Sequence, residues 1–156
     1  GHEIGYNEGK RFDIDGNGTN DVAFTTYHIG DPLLKMDKIQ FCVVSMIQSY
    51  LPVNADDNVN ILNESDWIMI RSRPGYEWFE VSLAVLAQKN ITENNEPYWT
   101  GVWKDATHKF LPIQLYKDGM RYNGWIELSF DKQKEKTILH KAAISKLPET
   151  NIQVKY

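Results

Sequence analysis

Short runs of alternating apolar and polar residues recur along the whole chain, separated by clusters of Gly, Pro, Asn and Asp. A period of two turns one face of an extended segment to a core and the other to water, and turn-forming clusters mark where such segments end. The pattern predicts strands at Val22–Ile29, Ile39–Ile47, Trp67–Ser72, Trp78–Leu86, Trp99–Lys104, Phe110–Lys117, Met120–Phe130, Thr137–Ser145 and Ile152–Tyr156. Many short strands at fairly regular spacing predict an all-β fold with little helix: one antiparallel, β-sandwich-like domain over residues 1–156. The sharpest local signal is LPIQLYK-DG-MRYNGWIEL, two apolar runs flanking Asp118-Gly119. A two-residue type I′ turn needs positive φ at both central positions, and Asp-Gly supplies that at low cost. In the second arm Tyr122, Gly124, Ile126 and Leu128 share one face, while Trp125 and Glu127 fall on the other, expected to be the wetter one.

Two stretches read less directly. EWFEVSLAVLAQKN fits a helical stripe and a buried strand equally well. PVNADDNVNILNES, from Pro52 to Ser65, is polar and rich in Asn, and is expected to be a long surface loop. KQKEK at 132–136 sits between two alternating segments, which makes it a solvated hairpin tip.

The most informative chemistry lies ahead of the first long strand. Asp13, Ile14, Asp15, Gly16, Asn17, Gly18, Thr19, Asn20 and Asp21 form a run in which oxygen-bearing side chains fall at positions 1, 3, 5 and 9, with glycine at position 6. Calcium takes six to eight oxygen ligands at about 2.3–2.6 Å, and alternate residues of a tightly wound loop turn inward toward one point. The spacing assigns Asp13, Asp15, Asn17 and Asp21 as side-chain ligands and the Thr19 carbonyl as a backbone ligand, with Gly18 at the bend. A bare turn rich in residues that tolerate positive φ would need only two such positions.

At these nine residues the chain resembles the DxDxDGxxD loop of integrin-type β-propeller repeats and, more loosely, the calcium loops of thrombospondin type 3 repeats and EF-hands. The resemblance implies calcium and no particular activity. Asn17 stands where that pattern has Asp, Phe24 stands where an EF-hand has its bidentate Glu, and the loop runs into the strand VAFTTYHI rather than a helix. Together with GWIEL at 124–128 the loop also resembles that of secreted or lipid-anchored bacterial β proteins, which implies a place in the cell envelope or outside the cell.

Composition narrows the functional classes. The net charge of −4 and the scattered basic residues give no stripe for a nucleic-acid backbone, so no nucleic-acid partner is expected. No apolar run reaches the ~18 residues of a membrane helix, so the chain is expected to be soluble with no transmembrane segment. It begins at Gly1 rather than Met, and an export signal is expected to have been removed. The single cysteine, Cys42 in QFCVVSMI, reads as a buried small hydrophobe and not a nucleophile.

His2, His28, His108 and His140 are widely spaced with no H-x-H or H-E-x-x-H, and G-x-S-x-G is missing. The acids Glu77, Glu80, Asp105 and Glu127 could furnish the two carboxyls of a glycosidase, as could those of any chain this size. Five tryptophans and eight tyrosines, with Trp99 and Trp103 the closest tryptophan pair, raise sugar stacking as an alternative to core filling. The expectation is a non-enzymatic calcium-binding accessory or binding module, its partner a glycan or another surface protein. The alternative is a carbohydrate-binding module or glycan-active hydrolase.

Overall fold

The computed structural model describes residues 1–155, and within them every regular element is a strand. In chain order these are β1 (His2–Gly5), β2 (Gly9–Phe12), β3 (Val22–Asp31), β4 (Met36–Ser45), β5 (Ser49–Val53), β6 (Trp67–Ile68), β7 (Glu77–Glu80), β8 (Leu83–Thr92), β9 (Tyr98–Thr100), β10 (Lys109–Lys117), β11 (Met120–Asp131), β12 (Lys136–Ile144) and β13 (Ile152–Gln153). One sheet has the order β1-β12-β11-β10-β5-β7, a second the order β2-β3-β4-β8-β9, and β6 pairs with β13 in a two-stranded ribbon. Every pairing is antiparallel.

The main core lies between the two large sheets. Val22, Phe24, Val43 and Leu86 come from the five-stranded sheet, and Leu51, Leu111, Ile113, Ile126 and Leu139 from the six-stranded one. Fully burying one such side chain contributes roughly 1.5–3 kcal/mol. The sandwich therefore needs no covalent staple.

Asp118-Gly119 is the tip of the β10–β11 hairpin as expected, with φ of 50° and 77° and Lys117 opposite Met120. Residues 132–135 form the β11–β12 tip, where Asp131 Oδ1 accepts from the backbone N–H of Gln133 and Lys134.

Several expectations need correction. Two short strands, β1 and β2, precede the loop at residues 13–21. The ambiguous EWFEVSLAVLAQKN is neither a helix nor one strand: it breaks at Val81, whose φ is 51°, into β7 and β8. Of Trp99–Lys104 only the start is extended, as β9, and of Ile152–Tyr156 only Ile152–Gln153, Tyr156 lying outside the described residues.

Pro52–Ser65 is not a plain surface loop. It begins inside β5, and Val59, Asn60 and Leu62 are buried, with Leu62 bridging to Phe110. Nor is the Trp125–Glu127 face of β11 wet. A second, smaller core of Leu62, Ile68, Phe110, Trp125 and Val154 covers it, because the excursion between β5 and β7 folds back over the outside of the six-stranded sheet. Pro112 is tolerated within β10 because β10 pairs with β5 only at Gln114 and Leu115, leaving its backbone free of a ladder on that side.

Cys42 is 1% exposed, and burial pushes its thiol up to about 12. The native protein should therefore resist a thiol reagent for hours and react quickly once unfolded; rapid native labelling would show that this part of the sheet opens.

Candidate metal centre

The loop at residues 13–21 joins β2 to β3 across their last paired residues, Phe12 and Val22. Its base is closed by Asp21 N–H donating to the Phe12 carbonyl at 2.8 Å and Met46 N–H donating to the Asp21 carbonyl at 2.9 Å. Asp13 organises the first turn. Its Oδ1 accepts from Gly16 N–H at 2.9 Å and Asn17 N–H at 3.2 Å, and its Oδ2 accepts from Gly18 N–H at 2.6 Å. Gly18 sits at φ 91°, a conformation that favours glycine, which is why the bend falls there. Asp15 Oδ1 accepts from Asn17 N–H, Asn17 Oδ1 from Thr19 N–H, and Asp21 Oδ2 from Ile14 N–H.

These bonds bring three of the expected ligands together. Asp13, Asp15 and Asp21 each offer a carboxylate oxygen, and the three oxygens lie within 4.8 Å of one another. Asn17 and Thr19 lie in the same loop, their polar groups engaged in holding its shape.

Like charges this close raise one another's proton affinity unless a cation intervenes. Asp21, 6% exposed, is raised by burial and then by the charges of Asp15 and Asp13, against the Ile14 N–H bond. Burial also pushes Asp15 upward, but Lys117 and the Asn17 N–H outweigh it and leave the carboxyl below its ordinary value. Lys117 Nζ lies 2.9 Å from Asp15 Oδ2 as an ion pair, without the alignment of a directed hydrogen bond. The lysine comes from the end of β10 in the opposite sheet, so the acidic loop is where the two layers meet at this end of the sandwich. Its ammonium also lies 4.6 Å from the centre of the Tyr122 ring.

No protein-family model, no curated protein and no solved structure matches this chain.

The other residues singled out in the sequence are dispersed. Asp105 is held by Lys104 and Lys132, Glu80 accepts from Gln48 N–H, and Glu127 from His108. Trp103 is 2% exposed inside the main core, and Trp99 packs inward against Phe41 and Phe130, so this pair offers no stacking platform.

One cluster was not legible in the sequence. His108 Nδ1 lies 2.6 Å from Oε2 of buried Glu127, Ser129 Oγ lies 2.7 Å from His140 Nε2, and the two imidazoles stack at 4.0 Å. His140 is the unmatched residue of a bulge, since Glu127 faces Lys141 while Leu128 faces Leu139. Bulges re-aim side chains in this way, and no spacing rule announces them. Stacked rings direct their nitrogen lone pairs along nearly parallel planes, a poor arrangement for one metal.

Burial and the neighbouring His108 lower the proton affinity of His140 from its ordinary 6.5, against the pull of Glu127. The unfolded chain thus takes up this proton at higher pH than the folded one. Stability is unaffected well above 6.5 and falls as pH drops from there through the lower folded value. Urea midpoints measured across this window should show the fall in the wild type and a shallower one in His140→Gln; identical slopes would remove His140 as the cause.

Proposed function

We propose that this chain is a calcium-binding β-sandwich module that works outside the cytoplasm and binds a partner without catalysing a reaction. The observation that carries the calcium reading is the convergence of Asp13, Asp15 and Asp21 oxygens within 4.8 Å. An all-oxygen set suits a hard cation, and a pliable loop suits calcium better than magnesium, which demands a near-ideal octahedron. Asp13, Asp15, Asn17, Asp21 and the Thr19 carbonyl are the ligands in this reading, and water completes the shell. The ion's role is to hold the turn between β2 and β3 and so pin the N-terminal strands to the five-stranded sheet.

Lys117 sets the affinity. Its charge offsets part of the attraction of three carboxylates, placing the site in the weak range of ~10⁻⁴–10⁻³ M that extracellular modules use. Such a site fills outside the cell and stays empty at cytosolic calcium, which is what supports the extracytoplasmic location. The resemblance to loops of secreted or lipid-anchored β proteins points the same way.

A glycan is the partner class favoured by the outer face of the five-stranded sheet. There half-buried Gln40 and Gln88 and exposed Thr100 are linked in one hydrogen-bonded row through buried Asn90, with Tyr27 on one flanking strand 43% exposed and Tyr98 on the other 49% exposed. Phenol rings and uncharged amides are the groups that meet sugar faces and hydroxyls.

Melting curves in calcium and in chelator test the calcium reading. At ~1 mM calcium and a Kd of ~0.1 mM, binding to the native state alone adds roughly 1.4 kcal/mol. That is a rise of a few degrees for a domain of this size. Asp15→Ala should abolish the rise. Lys117→Met should strengthen binding roughly fivefold, since an ion pair of this exposure contributes about 1 kcal/mol to holding Asp15 away from a metal. Identical wild-type curves in both conditions, with no heat of binding at millimolar calcium, would reduce the loop to a turn.

A further inference from the structure

The second core contains a place where the protein leaves hydrogen bonds unmade. Asn60 is 7% exposed, and its side-chain Oδ1 has no hydrogen-bond partner; the indole N–H of Trp78 is likewise buried and unpaired. Both residues line one cavity of about 20 Å³, walled by Trp67, Ile68, Leu62 and Pro112, with Arg71 and Arg73 at its rim. Buried polar groups without partners are rare in folded proteins, and each calls for a cause. An apolar side chain of similar size at position 60 would fill the same space without stranding an acceptor.

The roof of the cavity is fastened on purpose-fitting amides. Asn123, fully buried, donates from Nδ2 to the Ile68 carbonyl at 3.1 Å, and Gln114 Nε2 donates to the Ile70 carbonyl at 3.3 Å. Ile70 N–H in turn donates to Asn151 Oδ1 at 2.8 Å. The segment carrying Trp67 and Arg71 is therefore held over the sheet while the two polar groups beneath it are left open. Trp67 itself is 50% exposed and lines the cavity beside Arg71 and Arg73.

The rim carries two cations free to meet an anion. Arg121 is paired with Glu149, and Lys38, Lys89, Lys104, Lys117, Lys132 and Lys136 all have acidic partners. Arg71 and Arg73 have no ion pair among the described residues, although the chain carries a net charge of −4. A guanidinium matches a carboxylate in shape as well as charge.

We propose that a small hydroxylated aromatic carboxylate binds across the mouth of this cavity, with only its hydroxyl entering it. Its hydroxyl accepts from the Trp78 indole N–H and donates to Asn60 Oδ1, its ring lies against Trp67, and its carboxylate meets Arg71 and Arg73. A hydroxyl is the group that both donates and accepts within a space of one water molecule. This inference supplies a ligand class for the binding module proposed above, but its residues are separate from the acidic loop.

Three probes divide the site: 4-hydroxyphenylacetate, phenylacetate without the hydroxyl, and 4-hydroxyphenylethanol without the charge. Each is titrated into the full chain, once in calcium and once in chelator, while the indole N–H resonances are followed by NMR, with Trp78→Phe identifying the reporting signal. Binding in both buffers keeps this proposal separate from the fate of the calcium reading. The hydroxy acid should move the Trp78 signal saturably, and each truncated probe should bind about tenfold more weakly, the equivalent of one hydrogen bond or ion pair. Arg71→Ala with Arg73→Ala, both exposed, should bring the hydroxy acid down to the level of the uncharged probe. Asn60→Leu should bind the hydroxy acid and phenylacetate alike, with no drop in melting temperature. A Trp78 signal unmoved by the hydroxy acid, or moved equally by phenylacetate in the wild type, overturns the proposal and leaves the cavity to an ordered water.

Discussion

Replacing Trp103 by alanine is expected to destabilise the fold by about 3–5 kcal/mol, the range for deleting a large buried aromatic. A small domain has about 5–15 kcal/mol in total, so the variant should be barely folded at physiological temperature. Trp103 is 2% exposed within the main core, and its indole N–H donates to the Val59 carbonyl at 3.1 Å. Alanine therefore leaves a cavity and strips a buried carbonyl of its donor at the same time. The ring reaches this position because Trp103 N–H donates to the Leu86 carbonyl, turning the segment after β9 back under the sheet. A urea titration decides the matter. A loss below about 1 kcal/mol, the size expected of a surface change, would mean that Trp103 is not a structural anchor. Trp67→Ala provides the contrast, since that ring is half-exposed.

Trp103 also shows where sequence reading stopped. Alternation and turn chemistry are local properties, and they placed most long strands, the Asp118-Gly119 hairpin and the 132–135 tip. The burial of Trp103 and the re-aiming of His140 depend on bulges, one in the pairing of β4 with β8 and one in β11 with β12. A bulge adds one residue to one strand and leaves the composition of the run unchanged. The excursion after β5 misled for a related reason. Its Asn and Asp residues do form turns, as at Asn54, whose side chain accepts from Asp56 and Asn58 N–H, yet Val59 and Leu62 between those turns are pressed into two cores. Which face of β11 would be dry could not be seen without knowing that this excursion returns across it.

The acidic loop was more legible because its spacing is its geometry. Positions 1, 3 and 9 of a nine-residue run fall together once the turn at Gly18 is made, and Asp13, Asp15 and Asp21 do meet. What the spacing could not supply is Lys117, 96 residues beyond Asp21 in number and brought to Asp15 only by the packing of the two sheets. The distant lysine is the group that sets how strongly a cation would be held.

Gly124→Ala is the second substitution with a large expected effect, although it adds only one methyl group. Gly124 lies in β11 between Ile113 of β10 and Ile144 of β12, so both flanks are paired. A Cβ built there would fall 2.3 Å from Ile144 Cδ1 and 2.4 Å from the Ala143 carbonyl oxygen. The isoleucine methyl can rotate away, but the carbonyl belongs to the neighbouring strand and moves only if the sheet moves. Overpacking a core by one methyl costs about 1–3 kcal/mol where side chains can adjust, and the upper end or beyond is expected where backbone must yield. Gly75→Ala is the control: that glycine is at φ 88° with nothing within 4 Å of its Cβ, so it carries the conformational cost and no clash. Denaturant midpoints should fall by about 3 kcal/mol for Gly124→Ala and by about 1 kcal/mol for Gly75→Ala. If Gly124→Ala is no more destabilising than its control, the β11–β12 contact is looser than this packing requires.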